Sequence, residues 1–319
     1  MFIGVLRIRI AAYSIIVAIS SGILLSSCNA AQLRQSAETS GAAGDFSGTV
    51  DMGQRRRIYL ECRGAGSPTV ILESGLRTRG DNWSRADLLS HGGDAVLPEI
   101  AKFARVCTYD RPGTTLNPGE VSRSDPAPMP RTAMDVVQDL HALLHAAGVP
   151  GPYVLAGHSF GGLFVRLYRA LYPEEVSGLV LVDALAEQIK PLFKPADWKI
   201  FLALNSGPLP GFENYAALET IDFNASFEQM KRAGKAVPSK NIPVVILVRG
   251  LRVELPAGTP PEFGGILESA WRKSEDKLAA DLPHLQFVIA SKSGHYIQLD
   301  EPAIVVQAIR AVVEQASHR

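Results

Sequence analysis

The sequence predicts an α/β chain in which a mostly parallel sheet is covered by helices on both faces. Three observations lead there. Short apolar runs of strand length recur along the chain, and between them apolar residues fall at helical spacing. At one strand-to-helix junction stands Gly157-x-Ser159-x-Gly161, a pattern that calls for a sharp turn. A glycine-led loop, Ser293-Gly294-His295, lies between the last predicted strand and the last predicted helix.

The N-terminal segment stands apart from this pattern. Arg7 and Arg9 form a positive region ahead of the mostly apolar run Ile10 to Leu25, and Leu25-Ser26-Ser27-Cys28 follows where cleavage would fall. This resembles a bacterial lipobox. It implies a signal peptide over 1–27 and lipidation at Cys28, which becomes the new N-terminus. Cleavage near Ala30 or Ala31, or an uncleaved anchor, is the alternative. The run is short and interrupted by serine, unlike a spanning helix. Asn29 is not the aspartate that retains lipoproteins at an inner membrane, so the expected location is the cell envelope, at the outer membrane or facing the periplasm. Residues 28–45, rich in Ala, Ser and Gly, read as a flexible tether.

Charge excludes some partners. The chain carries 32 Lys+Arg and 32 Asp+Glu. Losing residues 1–27 removes Arg7 and Arg9 and no acid, leaving a net charge of −2. No basic patch points to nucleic acid, and there is no internal repeat. Neither a metal-ligand spacing nor a dinucleotide fingerprint stands out, so no cofactor is expected.

The domain is expected over 46–319. Phe46 to Met52 and Arg56 to Cys62 read as strands joined by a turn at Gly53. After the loop Gly64-x-Gly66-x-Pro68, Thr69 to Glu73 reads as a buried strand, followed by Ser74-Gly75-Leu76. A helix over Val96 to Phe103 leads to the strand Arg105 to Tyr109, which ends at Asp110-Arg111-Pro112-Gly113. Residues 114–130, dense in Pro and Ser, form a loop. Thr132 to Ala147 is helical, with Val136, Leu140, Leu143 and Leu144 on one face, and it stops at Gly148 and Pro150. Tyr153 to Ala156 is the strand before the Ser159 turn, and an amphipathic helix through Leu163 and Tyr168 follows it. Gly178 to Asp183 and Ile242 to Val248 are further strands. Gly264 to Ala280 is a helix, Leu285 to Ala290 the last strand, and Pro302 to Gln315 the last helix. Between them, residues 184–240 carry helical patches broken by prolines and read as a lid.

From about Phe46 to Gln315 the chain resembles enzymes of the α/β-hydrolase fold. The residues that carry the likeness are Ser74-Gly75-Leu76, Tyr109-Asp110-Arg111-Pro112-Gly113, the Gly157-x-Ser159-x-Gly161 elbow, Leu181-Val182-Asp183 and Ser293-Gly294-His295. Position 74 departs from the family's common His-Gly turn, being Ser with Glu73 before it.

The resemblance implies a serine hydrolase acting on an ester or related acyl bond through a Ser-His-acid triad. Ser159 is the expected nucleophile. Of seven histidines, His295 stands where the family places its base. His141 and His145 read as surface or packing residues, His158 as a support of the elbow, and His91, His284 and His318 have no motif around them. For the acid, Asp183 at the end of its strand is the first candidate and Glu254 the alternative. The backbone N–H groups of Phe160 and Leu76 are the expected oxyanion donors. Asp110 and Arg111 read as a structural turn pair near the pocket mouth. The lid residues Leu192, Phe193, Trp198, Phe201, Phe212 and Tyr215 point to a small-molecule acyl substrate with an apolar moiety, or merely fasten the lid to the body. Peptidase, lactonase or C–C hydrolase activity, or a catalytically silent tethered binding protein, remain open on the same fold.

The strand order that the resemblance implies also sets the second strand antiparallel to the fourth. Cys62 and Cys107 then meet at the sheet edge away from Ser159. They are candidates for a disulfide, which an exported domain would keep.

Overall fold

In the computed structural model the described residues are 44–53, 55–234, 241–280 and 285–318. The signal peptide, Cys28, nearly all of the tether, and His284 fall outside them. Among the described residues no helix is long and apolar enough to cross a membrane.

Eight strands form one sheet: β1 (Phe46–Asp51), β2 (Arg57–Arg63), β3 (Thr69–Glu73), β4 (Val106–Tyr109), β5 (Tyr153–His158), β6 (Val176–Val182), β7 (Val244–Arg249) and β8 (Leu285–Ala290). Their order is β1-β2-β4-β3-β5-β6-β7-β8. β1 with β2 and β2 with β4 are antiparallel, and every other pairing is parallel. β3, β5 and β7 are buried along their whole length, as central parallel strands covered on both faces must be.

The longer helices are α1 (Val96–Ala101), α2 (Ala133–Ala146), α3 (Phe160–Leu171), α4 (Pro195–Ser206), α5 (Phe223–Gly234), α6 (Phe263–Ala280) and α7 (Pro302–Ser317). Successive residues of a strand point to opposite faces, and the core divides accordingly. Val70, Val154 and Val180 pack with Ile100 of α1 and Ile309 of α7. Ile71, Leu155 and Leu179 pack with Leu140 of α2 and Leu163 of α3. Thr132 starts α2 with a capping box, its backbone N–H donating to Asp135 at 2.7 Å, and Gly148 ends it at φ 61°.

Cys62 and Cys107 lie directly opposite each other in the β2–β4 ladder and are joined by a disulfide, with Cα atoms 4.1 Å apart. The carboxyl ends of the parallel strands share one edge, the usual place for a site in an α/β sheet. At that edge the chain leaves β3 at Ser74, β5 at Ser159, β6 at Asp183 and β8 towards His295.

Candidate active site

Ser159 sits between β5 and α3 with φ 53° and ψ −121°, a backbone conformation that costs about 1–3 kcal/mol and that the surroundings must enforce. They do so through the main chain. The Ser159 N–H donates to the Val182 carbonyl at 3.0 Å, and the Ser159 carbonyl accepts from Leu185 at 2.8 Å and from Gly162 at 3.0 Å. Both flanking glycines are sterically required. A Cβ on Gly157 would stand 2.5 Å from the Gly161 carbonyl oxygen, and one on Gly161 would stand 2.6 Å from the carbonyl oxygens of Glu73 and Ser74.

His295 reaches Ser159 from the loop after β8. Its Nε2 lies 3.0 Å from the Ser159 hydroxyl, and its Nδ1 lies 2.5 Å from Asp183 Oδ2. Nδ1 facing a carboxylate carries the hydrogen, which leaves the Nε2 lone pair for the serine proton. Asp183 is buried at the end of β6 and accepts from the Arg249 guanidinium at 2.6 Å. Burial pushes its carboxyl up, but the hydrogen bond and charge of His295 together with Arg249 outweigh that and hold it below the ordinary range. Beside it is buried Glu275, whose carboxyl burial and the Asp183 charge push well above the usual range. Glu254 lines a cavity with Ser159 and His295, yet among the described residues Asp183 is the carboxylate bonded to the His295 imidazole.

His158 braces the loop rather than the elbow alone. Its Nε2–H donates to the His295 carbonyl at 2.8 Å, and burial reinforced by the His295 charge lowers its pKa to about 3. His91 and His318 are exposed, and His141 and His145 lie on α2, ahead of the amino end of β5.

The turn after β3 is held from below by charges that the sequence reading placed elsewhere. Arg111, expected near the pocket mouth, is buried and off the cavity lining, and its guanidinium donates to the carbonyls of Ser74 at 3.0 Å and Gly75 at 2.6 Å. It also bonds Glu73 at 2.5 Å and Glu219 at 2.7 Å. Burial works to lower its pKa, but the Glu219 and Glu73 carboxylates raise it overall, so it stays charged. Asp110 is buried too, holding the Gly80 N–H at 3.0 Å and Arg123 at 2.7 Å. Ser74, where the resemblance leads one to expect a histidine, accepts from the Trp83 indole at 3.1 Å and donates to the Arg79 carbonyl at 3.1 Å. Arg249, Glu275 and Glu219 carry no local motif. Their proximity depends on strands and insertions far apart in the chain.

Leu76 and Phe160 line one cavity of about 780 Å³ with Ser159 and His295. Phe160 opens α3, so its N–H is one of the first-turn donors without an intrahelical partner. From the 184–240 segment, Phe201, Leu204 and Phe223 reach this cavity. Of the aromatic and apolar residues expected to line it, only Phe201 does. Trp198 instead stacks on Phe201, while Phe193 packs tilted against Phe201 and stacks on Phe263, which fastens the segment to the body. Phe212, Tyr215 and Leu192 lie off the cavity lining as well.

Known proteins resemble this chain in sequence or in fold. The Bacillus subtilis uncharacterized protein YqjL is 25% identical over 250 residues, which is 77% of this chain and 84% of that protein. A Hormonema carpetanum protein named probable transporter efuK is 26% identical over 314 residues, covering 84% of this chain but 43% of its own length. The chain thus spans less than half of that relative. The crystal structure of carboxylesterase CesB (YbfK) from Bacillus subtilis superposes with a TM-score of 0.54 at 17% identity, over 88% of this chain and 96% of that one. The family described as alpha/beta hydrolase fold matches residues 68–242, a stretch that runs from the start of β3 through the Ser159 turn to the threshold of β7. With more than half of its length so matched, the chain belongs to the α/β-hydrolase fold family.

Proposed function

We propose that the chain is a cofactor-independent serine hydrolase that cleaves an ester or related acyl bond through Ser159, His295 and Asp183. The hydrolase class comes with the family. The observation that carries the reading is the unbroken relay from the Ser159 hydroxyl to His295 Nε2 at 3.0 Å and from His295 Nδ1 to Asp183 at 2.5 Å.

In the proposed reaction Ser159 Oγ attacks the substrate carbonyl carbon while its proton passes to His295 Nε2. The carbonyl electron pair moves onto oxygen, where the N–H groups of Phe160 and Leu76 receive it. Collapse of this intermediate expels the alcohol, which takes the proton from His295, and leaves an acyl group on Ser159. Water repeats the sequence and releases the acid. Asp183 holds the Nδ1–H tautomer throughout. Phe201, Leu204, Phe223 and Leu267 on the cavity wall support an apolar acyl or alcohol moiety, with 184–240 acting as a lid.

A fluorophosphonate probe tests the reading, because it labels only an activated serine. Labelling is expected in the full-length chain and lost in Ser159→Ala and His295→Ala. An unlabelled parent chain would instead fit a silent binding protein. A panel of p-nitrophenyl esters, lactones and aminoacyl amides then sorts esterase from lactonase and peptidase.

Export and a lipid anchor at Cys28 are part of the same proposal. Support comes from the N-terminal pattern and from the Cys62–Cys107 bond, which suits an oxidising compartment. Cys28→Ala is expected to leave the membrane fraction or to accumulate unprocessed. Wild-type processing and location of this variant would overturn the anchor.

A further inference from the structure

We propose that His141, His145 and Glu175 form a binding site for a divalent transition metal ion of the zinc class, remote from Ser159. The site stands independently of the acyl-transfer reading. Its residues lie near the amino ends of β5 and β6, whereas Ser159 and Asp183 leave the carboxyl ends. At about 3.3 Å per residue, the strands alone separate the two regions by roughly 20 Å.

The geometry is that of a partly assembled coordination sphere. His141 and His145 stand one helical turn apart on α2, so their rings share a face, with centroids 4.3 Å apart. Both Nε2 atoms converge on a single oxygen, Glu175 Oε1, at 3.0 Å and 3.4 Å. The ligating atoms of the three residues all lie within 4.8 Å of one another. Donors about 2.0–2.1 Å from a tetrahedral zinc ion are roughly 3.3–3.4 Å apart, so two of the three spacings already suit an ion. Facing the carboxylate, each Nε2 carries the ring hydrogen in the metal-free chain. On binding, each neutral imidazole shifts that hydrogen to Nδ1 and turns its Nε2 lone pair to the metal.

Neighbouring groups hold two of the ligands in place. The Tyr168 hydroxyl donates to Glu175 Oε2 at 2.6 Å, which leaves Oε1 to the histidines. His141 is stacked on Tyr172 with centroids 3.8 Å apart and ring planes 10° apart. Two imidazoles and one carboxylate are a donor set that zinc takes readily, with water in the fourth position. Water has access there, because the His145 side chain is 59% exposed. An ion so placed would cross-link the C-terminal half of α2 to the turn that leads into β6. A purely electrostatic role needs only one ring on the carboxylate, whereas here two imidazoles aim at the same oxygen. From the sequence His141 and His145 read as surface or packing residues, because Glu175 lies thirty residues beyond His145 and is brought to them only by the fold.

Isothermal titration of the EDTA-treated, purified full-length chain with ZnCl2 tests the site, with the visible spectrum of the Co2+-loaded chain as a second readout. One ion per chain is expected, with a rise in melting temperature and an intense tetrahedral cobalt band. His145→Ala and Glu175→Gln are each expected to weaken binding on the order of 100-fold and to lose that band, while His91→Ala leaves both unchanged. His145 is largely exposed, so its replacement is expected to keep the metal-free melting temperature. No uptake at millimolar Zn2+, or uptake unchanged in both ligand variants, would overturn the proposal.

Discussion

Glu219, carried by the 184–240 segment, forms a two-pronged ion pair with Arg111, Nε to Oε1 at 2.7 Å and Nη2 to Oε2 at 3.0 Å, with both side chains buried. The same carboxylate accepts the Arg77 backbone N–H at 2.6 Å, and Arg77 holds φ 61°. Arg111 in turn holds the Ser74 and Gly75 carbonyls. The segment is thereby tied to the residues on both sides of Leu76, the expected oxyanion donor.

Glu219→Gln leaves the Arg111 charge facing Glu73 alone and loosens that turn. Breaking a buried pair costs about 3–5 kcal/mol of stability, and a misplaced oxyanion donor costs up to roughly 3–4 kcal/mol in the transition state. The expected result is a lower melting temperature and a kcat on a p-nitrophenyl ester reduced roughly 10- to 100-fold, with KM little changed. Wild-type kcat in the folded variant would show that the turn does not depend on Glu219.

Asp183→Asn removes the carboxylate that orients His295, and turnover is expected to fall about 10⁴-fold, as in other triads. Glu254→Gln should leave turnover close to wild type, because Glu254 lines the cavity without bonding the imidazole. The reverse pattern in the same ester assay would transfer the acid role to Glu254.

His158 gives stability a pH dependence of predictable sign. Unfolded, it takes up its proton near pH 6.5; folded, burial and the His295 charge delay uptake to about pH 3. Between those values the unfolded chain binds more protons, so the contribution present above pH 6.5 is lost as pH falls. From pH 6.5 to 4.5 the parent chain is expected to lose about 2–3 kcal/mol more than His158→Gln, measured by urea unfolding. Parallel stability curves for the two proteins would contradict a neutral buried His158.

The Cys62–Cys107 bond closes a loop between residues 45 positions apart, and chain entropy predicts about 3–4 kcal/mol of stabilisation from it. Denatured, unreduced protein is expected to show neither thiol free, and reduction is expected to lower the melting temperature. Two free thiols at Cys62 and Cys107 would rule the bond out.

Much of the architecture was open to reading from local pattern. Strand and helix periods, the glycines around Ser159 and the glycine ahead of His295 are properties of short stretches, and they found their places in the fold. The helix over Val96 to Phe103 ends near Ala101, and the one over Pro302 to Gln315 continues to Ser317, differences confined to fraying ends. Arg111 reads from the sequence as one of a structural turn pair near the pocket mouth; that it is buried shows only in the fold, where Glu73 and Glu219 neutralise it in the interior.

By itself the sequence determined the α/β alternation, the sharp turn at Ser159 and the position of His295, since backbone conformation and side-chain period are encoded within a few neighbouring residues. The tertiary structure alone decided which carboxylate meets His295, that Arg249 and Glu275 flank it, that Glu219 reaches Arg111, and that Glu175 joins His141 and His145. Each of these is a contact between residues distant in the chain. Such contacts are set by how strands order themselves in the sheet and by where insertions fold back over its edge, and no local spacing records that.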